Sequence, residues 1–432
     1  MDRRNPAPPV NSSNDPLRPR RYLHFDERSP RAVLEREVSD PERVARWQFL
    51  PLLRVVQTTR RVSRKGAAKR PKRKDKVRPI CYASHHDAAL YATYALDLTE
   101  RYERILIAEG LTDCVIAFRP ACGKCNIHYA HEAFEWIRGH KPCVALAYDV
   151  KSFFDTLDHS ILKAKWREIL GGRFPSDSFA IYRAISRFSL IDRDIAYSEF
   201  KISRHNPWAN GRRRICTAQQ LRERLVDAGK LHVNNGGKGI PQGTPISAVL
   251  SNIYMLDFDR AVAAAIRAWG GLYRRYCDDI LCVVPPEFAD QAKELVNREI
   301  AKVRLAVQPE KLDERTFEAH QTLGKPLQYL GLTFDGDRLL LRSSGIARYY
   351  GRMRRAARIA LASQRRVAEE LGVPVADVPL RRRKLNQRYS YAGRRNFISY
   401  AHRAADITGA QEIKKQVSRH WLCLEKAASR ID

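Results

Sequence analysis

Tyr276-Cys277-Asp278-Asp279 lies between two apolar runs, in LYRRYCDDILCVV, and no other stretch of the chain narrows its possible folds as far. Strand-length apolar segments on either side make these four residues the tip of a predicted β-hairpin. Adjacent carboxylates repel one another, and a turn is where water or a cation can neutralise them. A third acid lies far upstream in ALAYDVKSFFDTLDH, where an apolar strand ends at Asp149 and is followed by Phe153 and Phe154. Between these two segments sits GIPQGTPISAVLSNIYM. Acids at the ends of separate strands suit two divalent metals held by Asp149 and Asp278, and the chemistry that follows is metal-assisted nucleotidyl transfer. A lone Asp-Asp pair would be an ordinary hairpin turn. Its coupling to Asp149 and to the Pro-Gln-Gly loop argues otherwise.

The bulk of the chain agrees. Its 432 residues can bury a large core and should divide into two or three domains. A net charge of +30 on a chain with 44% hydrophobic residues points to a folded protein with a polyanionic partner. No apolar run approaches the ~18–20 residues that span a bilayer, so no membrane partner is expected. The N-terminus, MDRRNPAPPVNSSNDPLRPRR, is Pro-rich and charged and does not read as a secretory signal. Nine scattered cysteines, an odd number, read as reduced thiols, and the expected compartment is the cytoplasm.

Residues 1 to about 30 lack apolar periodicity and read as a flexible or loosely docked arm. Pro41 to Val62 reads as a helix with Trp47, Leu50, Leu53 and Val56 near one face. The very basic RRVSRKGAAKRPKRKDKVRPI then reads as a hairpin or loop at the front of a folded lobe, leading into a helix at DAALYATYALDLTERYERIL. From about 143 to 336, CVALAYDV is a strand, HSILKAKWREIL a helix opening near Asp158, and SAVLSNIYMLDFDRAVAAAI one long helix. The YRRYCDD/ILCVV hairpin, a helix at FADQAKELVNREIAKV and a final strand at LQYLGLTF follow. This order predicts an α+β fold built on a split βαβ sheet, mostly antiparallel, with helices on one face and the acids at one rim. Beyond about Leu339 the chain turns helical and basic. Arg348, Arg352 and Arg355 share one helix face, and LRRRKLNQRYSYAGRRNFISYAHRA mixes cations with Tyr389, Tyr391, Phe397 and Tyr400, a mixture suited to phosphates and stacked bases.

In their order, these motifs resemble those of reverse transcriptases over most of the chain, nearest to the bacterial group that includes group II intron and retron enzymes. VIAFRPACGKCNIHYAHEAF, GIPQGTPISAVLSNIYM and RRNFISYAHRA resemble the defence-associated, formerly unknown-group, enzymes of the type 2 class. The resemblance implies a right-hand polymerase with an N-terminal arm and helix (1–58), fingers (59–142), a palm (143–337, with an insertion at about 171–236) and a basic helical thumb and C-terminal region (338–432). It implies an RNA-directed DNA polymerase using two Mg²⁺ ions and dNTPs. A structured noncoding RNA would serve as template and scaffold, cDNA would be the product, and phage defence the role. By the same resemblance, Asp149 and Asp278 bridge the metals, the Val150 carbonyl completes the second site, and Asp279 is a secondary ligand. Phe154 matches a steric gate against the 2′-hydroxyl. Gln242 and Gly243 lie against the incoming nucleotide, while Lys72 and Arg78, with Lys74 and Lys76 between them, neutralise its triphosphate. Lys311, in LAVQPEKL, matches a lysine that protonates the departing pyrophosphate, or else is a surface lysine in a turn. Tyr276, Gly331, Arg348, Arg352 and Arg355 fall to primer and template. Arg119 braces the fingers, and Asp155 caps or pairs locally.

Two other patterns lead elsewhere. Cys122-x-x-Cys125 with His128 hints at zinc, but no second pair follows at finger spacing. His85-His86-Asp87 suits a helix N-terminus better than a metal or a triad. The QGTPIS loop departs from the diversity-generating pattern, and no sizeable nuclease domain is expected after the basic tail. Two rival functions share the motifs: a template-independent polymerase of the abortive-infection type, and a maturase-like RNA-binding protein with a retired site. The intact Asp149, Asp278 and Asp279 argue against the second.

Overall fold

A computed structural model describes residues 15–63, 72–119, 122–318 and 325–429. Within the N-terminal segment, residues 15–30 are docked rather than loose. Leu17, Leu23 and Phe25 are buried, and the Tyr22 hydroxyl donates to the Ala83 carbonyl at 2.7 Å. The helix expected over Pro41–Val62 is realised only at Pro41–Ala45, where the Asp40 side chain accepts the Arg43 N–H. Leu52–Ser63 is instead a strand, β1. Pro51 interrupts the helix, and the β-branched Val55, Val56, Thr58, Thr59 and Val62 suit a pleated surface better than a helix. β1 pairs antiparallel with β2 (Lys72–Tyr82), from Leu53 opposite Tyr82 to Ser63 opposite Lys72. The middle of the basic segment, 64–71, lies outside the described residues. Ser84 caps the helix His85–Ala108 by accepting the Asp87 N–H, so the His-His-Asp triplet is a helix start.

β3 (Cys143–Asp149) is followed by β4 (Ser189–Asp192) and β5 (His232–Val233), which belong to a different sheet. β4 runs parallel to β1, and Arg54 grips Asp192 through two bonds of 2.6 and 2.7 Å, so the insertion extends the β1–β2 hairpin. The helix expected across SAVLSNIYMLDFDRAVAAAI is divided at Met255 into Ser247–Tyr254 and Leu256–Ala268. There the Met255 N–H bonds the Asn252 carbonyl, a tighter i→i+3 turn that re-aims the second half.

β6 (Leu272–Tyr276) and β7 (Asp279–Val284) form the predicted hairpin, followed by the helix Ala289–Lys302 and by β8 (Asp313–Phe317). The sheet order is β6-β7-β3-β8, antiparallel throughout. One face carries the helices Leu256–Ala268 and Ala289–Lys302; Val144, Leu146 and Tyr148 of β3 point into that core. Cys143 and Ala145 point the other way, into a second core with the helix Asn126–Gly139. A strand apolar at both parities needs cover on both sides, and this one has it.

LQYLGLTF is two short strands, β9 (Leu327–Tyr329) and β10 (Leu332–Phe334), rather than one. Leu330 and Gly331 take φ of 45° and 93° between them, the left-handed pair that closes a two-residue hairpin. β11 (Leu339–Leu341) completes this small antiparallel sheet. A 29-residue helix, Ser343–Leu371, then stops at Gly372, whose φ of 66° terminates it. Four shorter α-helices follow, and Met353, Ile398 and Ala401 join the second core. All nine cysteines are free. Among the described residues no helix is long and apolar enough to cross a membrane.

Candidate active site

Strand register brings the distant acids together. Asp149 ends β3 directly opposite Asp279 at the start of β7, and the Val150 N–H donates to the Asp278 carbonyl at 3.2 Å. Tyr276 faces Asp279 across the hairpin, which leaves Cys277 and Asp278 as the two-residue loop. Cys277 takes φ of 60°, a left-handed conformation that such loops require and that a cysteine rarely adopts. Tyr276 and Asp279, on either side of the turn, line a cleft of about 340 Å³ with Tyr148, Gly331 and Arg342, while Asp149 and Asp278 lie outside its lining.

Charge is concentrated at this rim. Asp279 is exposed at the cleft, although protein atoms crowd the surroundings of its carboxylate. Burial first, then Asp278 and Asp149, push its pKa up to about 7, while Arg342 and Lys76 pull the other way. Asp149 accepts a charge-assisted hydrogen bond from the Lys311 ammonium. Two backbone bonds stitch the Lys311 segment along the bend: Gln308 N–H to the Asp149 carbonyl at 3.0 Å and Lys151 N–H to the Ala306 carbonyl at 2.8 Å. That pairing uses the groups on either side of the Val150 carbonyl and not the carbonyl itself.

Among the described residues no three His, Cys, Asp or Glu side chains form a cage for a metal. The donors at the rim are nonetheless hard carboxylate and carbonyl oxygens. A Mg²⁺-like ion is commonly held by one or two carboxylates plus oxygens of a phosphate substrate, and this donor set fits that mode.

The remaining sequence candidates divide. Phe153 is buried in the core, whereas Phe154, which meets it edge-on at 5.5 Å and packs against the same core, stays half-exposed. Gln242 accepts the Cys81 N–H through its carbonyl at 2.8 Å. At Gly243, φ is 114° and a Cβ would lie 2.6 Å from the Cys81 carbonyl oxygen, so glycine is required there by the close approach of β2. Arg78 is exposed on β2 opposite Gln57. Lys72 begins β2, but its side chain and that of Lys74 lie outside the described residues. Gly331 lines the cleft from a turn rather than from the strand expected for it. Arg348, Arg352 and Arg355 are exposed on the 29-residue helix, which follows Arg342 at the cleft. Arg119 is buried on Glu103 and on the carbonyls of Thr112 and Val115, which makes it a brace. Cys125 caps the helix Asn126–Gly139 together with His128.

Sequence reading missed Arg342 and Asn126. Asn126 donates to the Leu330 carbonyl at 2.8 Å and to the Tyr400 hydroxyl at 3.3 Å, tying the β9–β10 turn to the C-terminal region. Neither residue belongs to a pattern with a chemical reading of its own.

A family model described as reverse transcriptase (RNA-dependent DNA polymerase) matches residues 69–334, more than half of the chain. No curated protein matches. Similar solved structures include apo telomerase from Candida tropicalis, at 12% identity and TM-score 0.42, covering 88% of this chain and 61% of that one. A form truncated of its C-terminal domain has 12% identity and TM-score 0.41, covering 66% and 55%. Telomerase from Candida albicans in complex with a TWJ fragment of telomeric RNA has 12% identity and TM-score 0.38, covering 92% and 65%. This chain thus spans between half and two thirds of those telomerase chains, and a likeness at that level carries no functional argument.

Proposed function

Because this chain belongs to the reverse transcriptase family of RNA-dependent DNA polymerases, we propose that the rim of Asp149, Asp278 and Asp279 is its polymerising site. We propose further that its template is a structured noncoding RNA. The observation that carries the reading is the register of Asp149 opposite Asp279, with Asp278 bonded through its carbonyl to Val150, beside an open cleft. Two Mg²⁺ ions held there would acidify the primer 3′-hydroxyl and neutralise the triphosphate. Asp149 and Asp278 would hold them, with the Val150 carbonyl completing one site and Asp279 assisting. Lys311, already bonded to Asp149, gives its proton to the departing pyrophosphate. Phe154 crowds the 2′-position, while Gln242, Gly243, Arg78, Lys72 and Lys76 receive the nucleotide from the finger side. Tyr276, Gly331 and the Arg348, Arg352, Arg355 face guide primer and template.

The proposed division is fingers 59–142, palm 143–337 and thumb 338–432. The type 2 defence-associated resemblance supports a cytoplasmic enzyme that copies its partner RNA into cDNA during phage defence, and the net charge of +30 supports a large RNA partner. An Asp278→Ala/Asp279→Ala variant is expected to bind RNA normally and to extend no primer. A variant that still extends one sinks the assignment. Sequencing the nucleic acid that co-purifies with the protein should return one RNA and its DNA copy; random RNA without DNA would sink the template proposal.

A further inference from the structure

We propose that Arg275 is a positioning residue for the Asp278–Asp279 turn, aimed by Asp259 and Asn252. The inference rests on the polymerising-site reading above and concerns how that site keeps its shape. Arg275 and Asp259 are both fully buried. The guanidinium grips Asp259 through two bonds, Nε to Oδ1 at 2.7 Å and Nη2 to Oδ2 at 2.6 Å, and the Tyr273 hydroxyl donates to the same carboxylate at 2.6 Å. That leaves Nη1, which donates to Asn252 Oδ1 at 3.1 Å and to the Cys277 carbonyl at 3.2 Å. Asn252 is itself held, donating from Nδ2 to the Ala117 carbonyl at 2.9 Å. The Arg275 backbone is pinned to the same loop, its N–H on the Cys114 carbonyl at 2.7 Å and its carbonyl on the Ile116 N–H at 3.0 Å.

The turn needs such a hold. Cys277 sits at φ of 60°, which a side chain disfavours and which persists only where surroundings over-determine it. The carboxylates of Asp149, Asp278 and Asp279 repel one another and would splay the loop. Asp259 neutralises the Arg275 charge, so Arg275 acts on the turn through the Cys277 carbonyl rather than as a screening cation. A buried ion pair is also a poor source of stability, since apolar residues of similar volume commonly do as well. What an apolar pair cannot supply is a donor on the Cys277 carbonyl.

Two variants test this. Arg275→Met/Asp259→Leu/Tyr273→Phe removes the clamp without leaving a buried charge or an orphaned hydroxyl. Arg275→Lys keeps the charge opposite Asp259 but cannot reach Asn252 and Cys277 together. Both are expected to fold as judged by circular dichroism, with kcat reduced about 10- to 100-fold and the KM for dNTP little changed. In a Mn²⁺ titration followed by electron paramagnetic resonance, without nucleic acid, binding should weaken by about 10-fold. If the triple variant does not fold, the lysine variant decides. A folded variant with wild-type Mn²⁺ affinity overturns the proposal, whatever its kcat. Failure of the wild-type protein to extend any primer would instead count against the polymerising-site reading, because the Mn²⁺ comparison does not depend on it.

Discussion

At the scale of single residues, Gly243 and His24 show how much depends on one position. A methyl group at Gly243 would meet the Cys81 carbonyl oxygen at 2.6 Å and Ile80 Cγ2 at 2.8 Å, with φ already at 114°. Gly243→Ala should therefore cost about 1–3 kcal/mol and shift the Pro-Gln-Gly loop against β2. A lower melting midpoint together with a raised KM for dNTP is the expected result, and an unchanged midpoint would contradict it. His24 is fully buried, accepts the Phe25 N–H at Nδ1 and faces the Tyr82 carbonyl with Nε2. Burial pushes its pKa down to about 4. The unfolded chain then takes up a proton near pH 6.5 that the folded chain refuses. Stability is therefore lost as pH falls from about 6.5 towards 4, by at most about 3 kcal/mol. Asp87, raised to about 6 by burial, works in the opposite sense, so the comparison must be with a His24→Gln variant. Urea unfolding of that variant should fall less between pH 7 and pH 5 than that of the wild type; parallel curves would remove His24 from the account.

At the scale of elements, the Ser343–Leu371 helix carries the clearest expectation. Arg348, Arg352 and Arg355 are exposed along it, so changing all three to Gln should leave the fold intact. If each meets a phosphate, the slope of log affinity against log salt should fall in magnitude by about 2–3 in an RNA-binding titration. A slope that does not move would place the nucleic acid elsewhere. Two elements depart from their expected form for different reasons. Pro41–Val62 has apolar residues at helical spacing, but its second half is rich in β-branched side chains and finds a partner strand in β2. The single strand expected at LQYLGLTF folds back because Leu330 and Gly331 both adopt positive φ, which composition alone does not announce.

At the scale of the whole molecule, the insertion at about 171–236 is not a detachable appendage. β4 continues the sheet of β1, and Ile191 packs in one small core with Leu23, Leu53 and Ile215. Deleting 171–236 should therefore yield insoluble protein rather than a trimmed enzyme, and a soluble deletion variant with intact RNA binding would contradict this reading. The acids, their order, the hairpin at Cys277–Asp278, the strand at 143–149 and the family were all legible in the chain, because apolar periodicity and turn chemistry are local properties. That Asp149 would converge on the Asp278–Asp279 turn was expected from the motifs, but the contacts that bring the segments together were not legible. The opposition of Asp149 to Asp279, the Lys311 ammonium on Asp149, the Arg275 hydrogen bond to the Cys277 carbonyl and the seating of Gly243 on β2 all join segments distant in sequence. Such pairings are set by strand register and by the volume left between packed helices, quantities that exist only once the whole chain has condensed.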